Sequence, residues 1–474
     1  LAEASLKCRF DAAGDQAVSL KLCDDAKTAC MFEDFTVSVL GAAKPAAAAA
    51  AVPAAEQAGL EGFMLNTPAA AQALAKKEGK LLFVDFFGRW CPPCRVMEDT
   101  VLWRPEFLDA TKEMVRLSLD VDKPESREWK KLFGVTGYPT YLVADAGLNE
   151  IGRWVGGSSL PAFTAWLADQ SRWKDLPLAK AEAGAAPDAA ARLRLARQYL
   201  VLEKPEKARA LLAGLDTRAA AYLDAQARVQ QEKSTDTAKL SALYRGLIER
   251  FDGQDGQPAE GSVLEWIGAL HKADPQAAKP YVDGLDGIIS ALNASGDAAA
   301  EGYGPEDVLY AAAVSMDDAG LGDLAAALYV RAAGAYGGLA GKAPRPELAK
   351  GLRLSQARCL AAAKSYAAAA DIYAGLTAEF PGEYAFHRSY AGLLLKLKKY
   401  PRALEEASLA EKLSYGDIHS QIVVLKARIQ AEMGDKPGAL ATLRAALTAA
   451  EAPGAAGAGP TGAIKKYLGE LNAS

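Results

Sequence analysis

Two cysteines that directly follow an apolar run constrain the fold more than any other feature of the sequence. Residues 81–84 read LLFV, and residues 86–95 read FFGRWCPPCR. The apolar run predicts a buried strand over 81–87, with a helix beginning at Cys91 and Cys94. A pair at this spacing has three interpretations: half of a metal site, a structural disulfide, or a redox centre.

Neither a metal site nor a structural disulfide fits the rest of the sequence. A closed zinc site needs two more thiolates or imidazoles, but the chain has no second CxxC pair, and His271, His387 and His419 are far apart in sequence. A disulfide across two residues closes a very small loop and restrains the unfolded chain little. We therefore predict no metal site and no cofactor.

A redox role suits a cysteine pair at the start of a helix. Backbone N–H groups and the positive end of the helix dipole stabilise a thiolate at that position. We therefore expect Cys91 to be the exposed attacking thiolate and Cys94, one turn inward, to be the resolving thiol that releases a mixed disulfide.

Helices and strands are predicted to alternate around this motif. A helix should begin at Pro68 with Thr67 as its N-cap, and Pro105 should interrupt the helix that follows the cysteines. The remaining predicted elements are strands over 115–122, 140–145 and 150–156 and helices over 125–133 and 160–172. This order predicts an α/β domain with a central sheet over residues 60–173.

Charge argues against nucleic acid as a partner, and hydropathy argues against a transmembrane segment. The net charge is -5 and no block of lysine and arginine stands out, so we predict no nucleic-acid binding. No uninterrupted apolar stretch is long enough to span a bilayer, so we predict no transmembrane segment in this chain. Partners should be proteins or small molecules.

The first sixty residues predict a short β segment and a linker. Residues 1–40 alternate with a period of two in SLKCRF, AVSLKLC and FTVSVL, which predicts three strands. The alanine- and proline-rich residues 41–59 predict a linker. Cys8, Cys23 and Cys30 cluster where disulfides would persist, which favours an extracytoplasmic location. Because the chain starts at Leu1, we expect that a signal peptide has been removed.

Residues 174–474 predict a helical repeat domain. Four helices open with an alanine at the same relative place, and the last three of these alanines are spaced by 34 and 36 residues. Twelve positions upstream of each lies another small residue. These spacings resemble degenerate tetratricopeptide repeats, with a further copy near GDLAAALY in the helical region 235–345. The alanine pairs are Ala196 and Ala208, Ala357 and Ala369, Ala391 and Ala403, and Ala427 and Ala439.

Residues 60–172 resemble the thioredoxin family through VDFFGRWCPPCR, GYPT and WVGG. The resemblance implies a thioredoxin fold, a cis Pro139 beside Cys91 and Cys94, and a client groove lined by Tyr138 and Gly156. The full set of client-binding residues predicted from it is Trp90, Pro92, Pro93, Tyr138, Pro139, Thr140 and Gly156.

The resemblance also implies two acidic catalytic residues. Asp85 matches the family's buried carboxylate, which would handle the proton of the inner thiol; the alternative is a strand residue at the sheet edge. The lysine that thioredoxins keep near this acid is Ser118 here. Glu98 lies in CRVMEDTVLWRPEF, which resembles the C-terminal periplasmic domain of DsbD-type thiol:disulfide interchange proteins more than a cytosolic thioredoxin. The alternative for Glu98 is a solvated helix charge.

The amino-terminal VSLKLCDDAKTACMFEDFTVSV resembles the closing strands of the N-terminal domain of DsbD-type proteins. Cys23 and Cys30 are therefore either a second redox pair or a structural disulfide that staples an isolated hairpin. Cys359 lies in an alanine-rich helix and is expected to be a small buried hydrophobe.

These observations predict a periplasmic protein-disulfide reductase. Its clients would be proteins with disulfides, held near Cys91 by the helical repeats, and a membrane thiol reductant would serve as its electron donor. One alternative is a chaperone or scaffold whose thioredoxin domain serves mainly for recognition. Another is an oxidase or isomerase, because the spacing of the cysteines does not give the reduction potential. Intact Cys91 and Cys94 favour the enzyme.

Overall fold

The computed structural model describes residues 14–23, 30–39, 62–174, 188–232, 236–251, 260–295, 304–451 and 461–473. Its contacts divide the chain into two compact units, Leu1–Ala58 and Gly59–Ser474. Within the described residues, no helix combines the length and the apolar character needed to cross a membrane.

The first unit contains an antiparallel pair of strands, β1 (Gly14–Cys23) and β2 (Cys30–Val39). Their register places the backbone of Cys23 opposite that of Cys30. These strands confirm two of the three that were predicted. The third, with Cys8, lies outside the described residues, as does the linker. Cys23 and Cys30 as a disulfide or a redox pair stays a prediction.

The second unit begins with a five-stranded mixed sheet in the order β3-β5-β4-β6-β7. β4 runs parallel to β5, and β6 and β7 complete the sheet in antiparallel fashion. The strands are β3 (Met64–Leu65), β4 (Leu81–Phe87), β5 (Met114–Asp120), β6 (Thr140–Ala144) and β7 (Glu150–Val155). β3 was not predicted, because two residues are too short to show a period.

Helices cover both faces of this sheet, and β4 is accordingly apolar except at Asp85. One face packs against α1 and α4, and the other against α2, α3 and α5. The helices are α1 (Pro68–Glu78), α2 (Pro92–Thr100), α3 (Pro105–Ala110), α4 (Arg127–Leu132) and α5 (Leu160–Arg172). We call residues 62–174 the sheet domain.

The helix boundaries follow local chemistry. α1 begins after Thr67 as predicted, although the Thr67 side chain makes no capping hydrogen bond, and it ends at Gly79 with a left-handed φ of 66°. The break before Pro105 is confirmed. The predicted helix 125–133 is a 3₁₀ turn, Pro124–Ser126, followed by α4.

The rest of the second unit is helical wherever it is described. We call residues 188–473 the helical domain. Its helices are α6 (Ala189–Val201), α7 (Pro205–Leu212), α8 (Arg218–Gln231), α9 (Thr237–Phe251), α10 (Glu260–Ala273), α11 (Pro275–Asp283), α12 (Leu285–Ser295), α13 (Pro305–Asp318), α14 (Gly322–Ala340), α15 (Lys350–Ala362), α16 (Tyr366–Glu379), α17 (Tyr384–Lys396), α18 (Tyr400–Leu413), α19 (Gly416–Glu432), α20 (Lys436–Ala450) and α21 (Gly462–Ala473).

The small residues identified in the sequence lie where helices meet. All eight paired alanines are 0% exposed. The stretch GDLAAALY opens α14 and follows the same spacing, with Ala325 buried and Ala313 buried twelve positions upstream. Alanine at these places lets helix backbones approach closely, and the arrangement is consistent with helical repeats.

Replacing Ala439 by leucine should destabilise the C-terminal end of the helical domain. Ala439 packs with Val423, Leu443 and Ile464 in a closed cluster, so extra methylenes have no room and should cost about 1–3 kcal/mol. Denaturant titration of the full chain measures this. Ala441 lies exposed on the same helix, and Ala441→Leu is the matched control. Equal effects of the two substitutions would contradict close packing at Ala439.

Candidate active site

The cysteine pair lies at the predicted strand-to-helix junction. Cys91 is the N-cap of α2, and its Sγ accepts a hydrogen bond from the backbone N–H of Cys94 at 3.3 Å. The two residues form a disulfide, with their Cα atoms 5.3 Å apart. Proline at the first position of α2 suits a helix start, because its missing N–H would have no partner there. Cys91 is only 3% exposed, so the exposed position predicted for it is not observed in the disulfide form.

The structure shows where four of the predicted client-groove residues lie: Tyr138, Pro139, Thr140 and Gly156. The Tyr138–Pro139 peptide bond is cis, and the Tyr138 ring packs edge-on against Trp90 at 5.9 Å between centroids. Thr140 is buried and donates to the carbonyl of Gly137, facing a different surface depression from Cys91. Gly156 has a left-handed φ of 96° and donates its N–H to the carbonyl of Pro139.

Asp85 is buried in the middle of the sheet. It lies on the central strand β4, which excludes the alternative of a sheet-edge position. Ser118 is its neighbour in the β4–β5 register, and the Ser118 hydroxyl donates to Asp85 Oδ2 at 2.7 Å. Burial raises the pKa of Asp85 to about 7; the negative charge of Glu98 adds to this increase, and the Ser118 hydrogen bond opposes it.

Glu98 belongs to an ion-pair network rather than standing as a solvated charge. Its carboxylate lies 2.7 Å from Nη1 of Arg95, which is itself 4% exposed. The other terminal nitrogen of Arg95 reaches Glu383 of the helical domain at 2.9 Å. Glu383 also pairs with Arg89 at 3.6 Å and with Lys350 at 3.9 Å.

The helical domain is docked on the helix that carries the cysteines. Asp99 of α2 accepts backbone hydrogen bonds from Gly351 at 2.6 Å and from Leu352 at 3.3 Å, which are first-turn N–H groups of α15. A carboxylate from one domain therefore caps a helix of the other. Burial and the Glu98 charge raise the pKa of Asp99 to about 7, although both backbone donors oppose this.

A second contact of the same kind lies beside Trp90. Asp122 accepts hydrogen bonds from Trp90 Nε1 at 2.8 Å, from the Tyr384 hydroxyl at 3.0 Å and from the backbone N–H of Ile418 at 3.1 Å. Burial raises the pKa of Asp122 to about 6. The turn before Cys91 and the helical domain are thus joined through the Asp122 carboxylate.

A cavity of about 640 Å³ lies between the two domains, and Cys91 is in its wall. Trp90, Pro92, Pro93 and Tyr138 line it from the sheet domain. The opposite wall comes from α13, α14 and α15, and includes Tyr310, Tyr336, Arg358 and Cys359. No group of three or more His, Cys, Asp or Glu residues that could hold a metal ion occurs in the part of the chain that the structure describes.

Comparison with known proteins identifies the sheet domain. Residues 68–171 match the family described as a thioredoxin-like domain. Residues 68–171 form a thioredoxin-like domain. From here on we call the sheet domain the thioredoxin-like domain.

Relatives with this domain include thiol:disulfide interchange proteins and thioredoxins. The chain is 36% identical over 70 residues to the thiol:disulfide interchange protein DsbD of Pseudomonas fluorescens, which covers 14% of this chain and 12% of that protein. It is 36% identical over 75 residues to thioredoxin H4 of Arabidopsis thaliana, covering 15% of this chain and 58% of that protein. The chain therefore spans less than two thirds of the length of either relative.

A solved structure, the solution structure of a thioredoxin from Thermus thermophilus, is 29% identical and covers 23% of this chain and 86% of its own, with a TM-score of 0.21.

Sequence reasoning missed the residues that join the two domains. Asp99 and Asp122 lie in MEDT and DVD, where acidic residues read as ordinary helix and strand-end positions. Cys359 is buried as predicted, and burial raises its pKa to about 12, but its place in the same cavity as Cys91 could not be foreseen. The only available signal was the adjacent acid pair Glu98 and Asp99.

Replacing Asp99 by asparagine should remove a pH dependence of stability. The pKa of Asp99 is about 7 in the fold and about 3.9 in an unfolded chain, so the folded protein holds a proton that the unfolded chain releases. The wild-type free energy of unfolding should therefore fall, relative to Asp99→Asn, by at least about 1 kcal/mol between pH 4 and 8. Denaturant titrations at several pH values measure this difference.

Asp109→Asn is the control, because Asp109 is exposed in the same domain. It shows how far the loss of one exposed carboxyl group changes the free energy of unfolding over the same pH range. A wild-type minus Asp99→Asn difference that stays flat would show that Asp99 does not titrate in this window.

Proposed function

We propose that this chain is a thiol–disulfide oxidoreductase that reduces disulfides of protein clients through Cys91 and Cys94. The observation that carries the proposal is the Cys91–Cys94 disulfide at the start of α2, with Cys91 in the wall of a cavity that a client can enter. The relatives named as thiol:disulfide interchange proteins and thioredoxins support the same chemistry.

The proposed exchange has two steps. The reduced Cys91 thiolate attacks one sulfur of a client disulfide, forming a mixed disulfide and releasing the other client sulfur as a thiol. The Cys94 thiolate then attacks the Cys91 sulfur, forming the Cys91–Cys94 disulfide and releasing the second client thiol. Two electrons pass from the cysteine pair to the client, and an external thiol donor restores the pair.

Asp85 is proposed to accept the proton of Cys94 before the second step. Its raised pKa, about 7, is matched to a base that works near neutral pH. Ser118 donates to the carboxylate at the position where a lysine is found in thioredoxins, so this position offers no lysine to relay the proton. Glu98 is proposed to act electrostatically, since its charge raises the pKa of Asp85.

The client-binding residues remain proposals. Trp90, Pro92, Pro93 and Tyr138 line the cavity beside Cys91, which supports a contact with the client. The support for Pro139, Thr140 and Gly156 is the family resemblance.

We also propose the wider organisation predicted from the sequence. A β segment over 1–40 and a linker over 41–59 precede a thioredoxin-like domain over 60–173 and tetratricopeptide-like repeats over 174–474. The location would be periplasmic, with a membrane thiol reductant as electron donor. The similarity to DsbD proteins supports this place for the chain.

The reduction potential of the cysteine pair tests the direction of the exchange. We expect a value near or below about -230 mV, in the range of thioredoxin-like reductants, when the pair is equilibrated against glutathione. Cys8, Cys23 and Cys30 are replaced by serine so that one pair is measured. A value above about -150 mV would show that the reduced form is the stable one and would contradict the reductase.

A Cys91→Ser variant tests whether disulfide exchange runs through this pair. It should lose all disulfide exchange, because the attacking sulfur is gone. Retention of all client binding and of cellular function by Cys91→Ser would instead favour the chaperone or scaffold alternative.

The pH dependence of the second step tests Asp85. Above about pH 7 the wild-type carboxylate is free to take a proton, so the rate of mixed-disulfide release should rise with pH through this value. Asp85→Asn should slow release about 100-fold and abolish the inflection. Rapid-mixing kinetics with a preformed mixed disulfide measure both.

Ser118→Ala is the matched variant, because it removes the hydrogen bond that holds the pKa of Asp85 down. It should keep the inflection and move it to higher pH. An unchanged inflection in Asp85→Asn would assign the titration to another group.

A further inference from the structure

The helix that follows Cys91, α2, is covered by α15 at Arg95, Val96 and Asp99. A Cβ built on Gly351 would lie 2.3 Å from the backbone carbon of Arg95, so the two helix backbones are in direct contact there. Val96 of α2 packs into the hydrophobic core of the helical domain, which includes Leu352 and Cys359. A folded partner cannot reach α2 through a helix that already occupies it.

A second backbone contact, between Gly416 and Asp122, also holds the helical domain against the thioredoxin-like domain. Gly416 has a left-handed φ of 60°, and a Cβ there would overlap the backbone oxygen of Asp122. Trp90 packs with Tyr384 and Ile418 in a cluster shared by both domains. The docking therefore combines backbone contact, shared apolar clusters and the two buried carboxylates Asp99 and Asp122.

The space beside Cys91 is suited to a short piece of extended chain. Its volume, about 640 Å³, falls in the range of about 300–1,000 Å³ that is typical of pockets for small ligands. A standard protein interface buries about 800 Å² on each partner, which a pocket of this size cannot offer to a folded surface. A few residues around a client cysteine would fit.

The lining of the cavity selects apolar neighbours for that cysteine. Apolar and aromatic side chains face it from both domains, and they are Trp90, Pro92, Pro93, Val96, Tyr138 and Leu160 on one side and Tyr310, Ala311, Tyr336 and Leu339 on the other. Three charged residues also line the cavity, Glu306, Asp307 and Arg358, and Asp307 is already bound to the Tyr336 hydroxyl and to the Gly304 N–H. Burial of apolar flanks against most of the lining stabilises the complex, whereas charged flanks would lose water over the apolar wall and could meet only Glu306 or Arg358 in return.

We propose that the clients of Cys91 are unfolded or flexible polypeptide segments in which apolar residues flank the cysteine, and that α15 excludes disulfides on folded surfaces. The inference rests on the proposed function and names its substrate class. The exchange is the two-step reaction described above, with the client segment in the cavity between α2 and helices α13 to α15.

Three substrates with the same reporter test this proposal. Each carries one cysteine in a mixed disulfide with thionitrobenzoate: an unstructured peptide with apolar flanks, the same peptide with glutamate and lysine flanks, and a small folded protein with a surface cysteine. The full chain turns them over with dithiothreitol as the recycling reductant. Each kcat/KM is divided by the uncatalysed rate constant of that substrate with dithiothreitol.

We expect the normalised kcat/KM to be at least about tenfold higher for the apolar peptide than for the other two substrates. Ala311→Phe, which fills the cavity from α13, should lower the apolar-peptide value about tenfold and leave the reduction potential unchanged. Ala362→Phe, at an exposed position at the end of α15, is the matched control and should change neither.

Gly351→Val tests whether the contact between α15 and α2 excludes folded substrates. The added side chain should separate α15 from α2 and raise the folded-protein value about tenfold relative to the apolar peptide. Gly392→Val is the matched control, because a Cβ at Gly392 meets no described atom within 4 Å. If Gly351→Val does not fold, Ala311→Phe and the three wild-type values still decide the question.

The outcomes separate this inference from the proposed function. Equal normalised values for the three substrates, or a preference for the charged flanks or the folded protein, would overturn the inference while leaving the oxidoreductase intact. An unchanged apolar-peptide value in Ala311→Phe would also overturn it. A wild-type protein no faster than Cys91→Ser on every substrate would overturn both.

Discussion

The contact between Asp99 and the first turn of α15 is the constraint on which the rest of the site depends. The first N–H groups of a helix have no partner within the helix and need an acceptor from outside. Here the acceptor is a carboxylate on α2, one turn beyond Cys94, so the cap fixes both the position and the direction of α15. Since α15 also carries Arg358 and Cys359, the same cap positions one wall of the cavity.

The acidic residues at this boundary favour one particular docking over many. A buried carboxylate is costly unless donors surround it, and Asp99, Asp122 and Glu383 each meet donors from across the boundary. A shifted arrangement would leave these charges buried and unpaired. The apolar clusters around Val96 and Trp90 supply attraction, while the carboxylates make that attraction specific to one register.

Much of the fold could be predicted because its signals are local. The apolar run of β4, the proline that begins α3 and the small residues between paired helices act through neighbours in sequence or through a fixed spacing. The pairing of Asp85 with Ser118 could be reached by counting along a family pattern. The capping of α15 by Asp99 could not be predicted, because Asp99 and Gly351 are 252 residues apart in sequence. An acidic residue in a helix is also common at positions that make no such contact. β3 could not be predicted either, because a strand of two residues is too short to show an alternating pattern.

The docking also accounts for a small redox motif in a chain of 474 residues. In this chain Cys91 is 3% exposed, and the space that remains beside it has walls from two domains. The helical domain thus forms one wall of the cavity beside Cys91. Because α15 both covers α2 and lines the cavity, a change in how the domains dock must alter access to Cys91 and the shape of the pocket together.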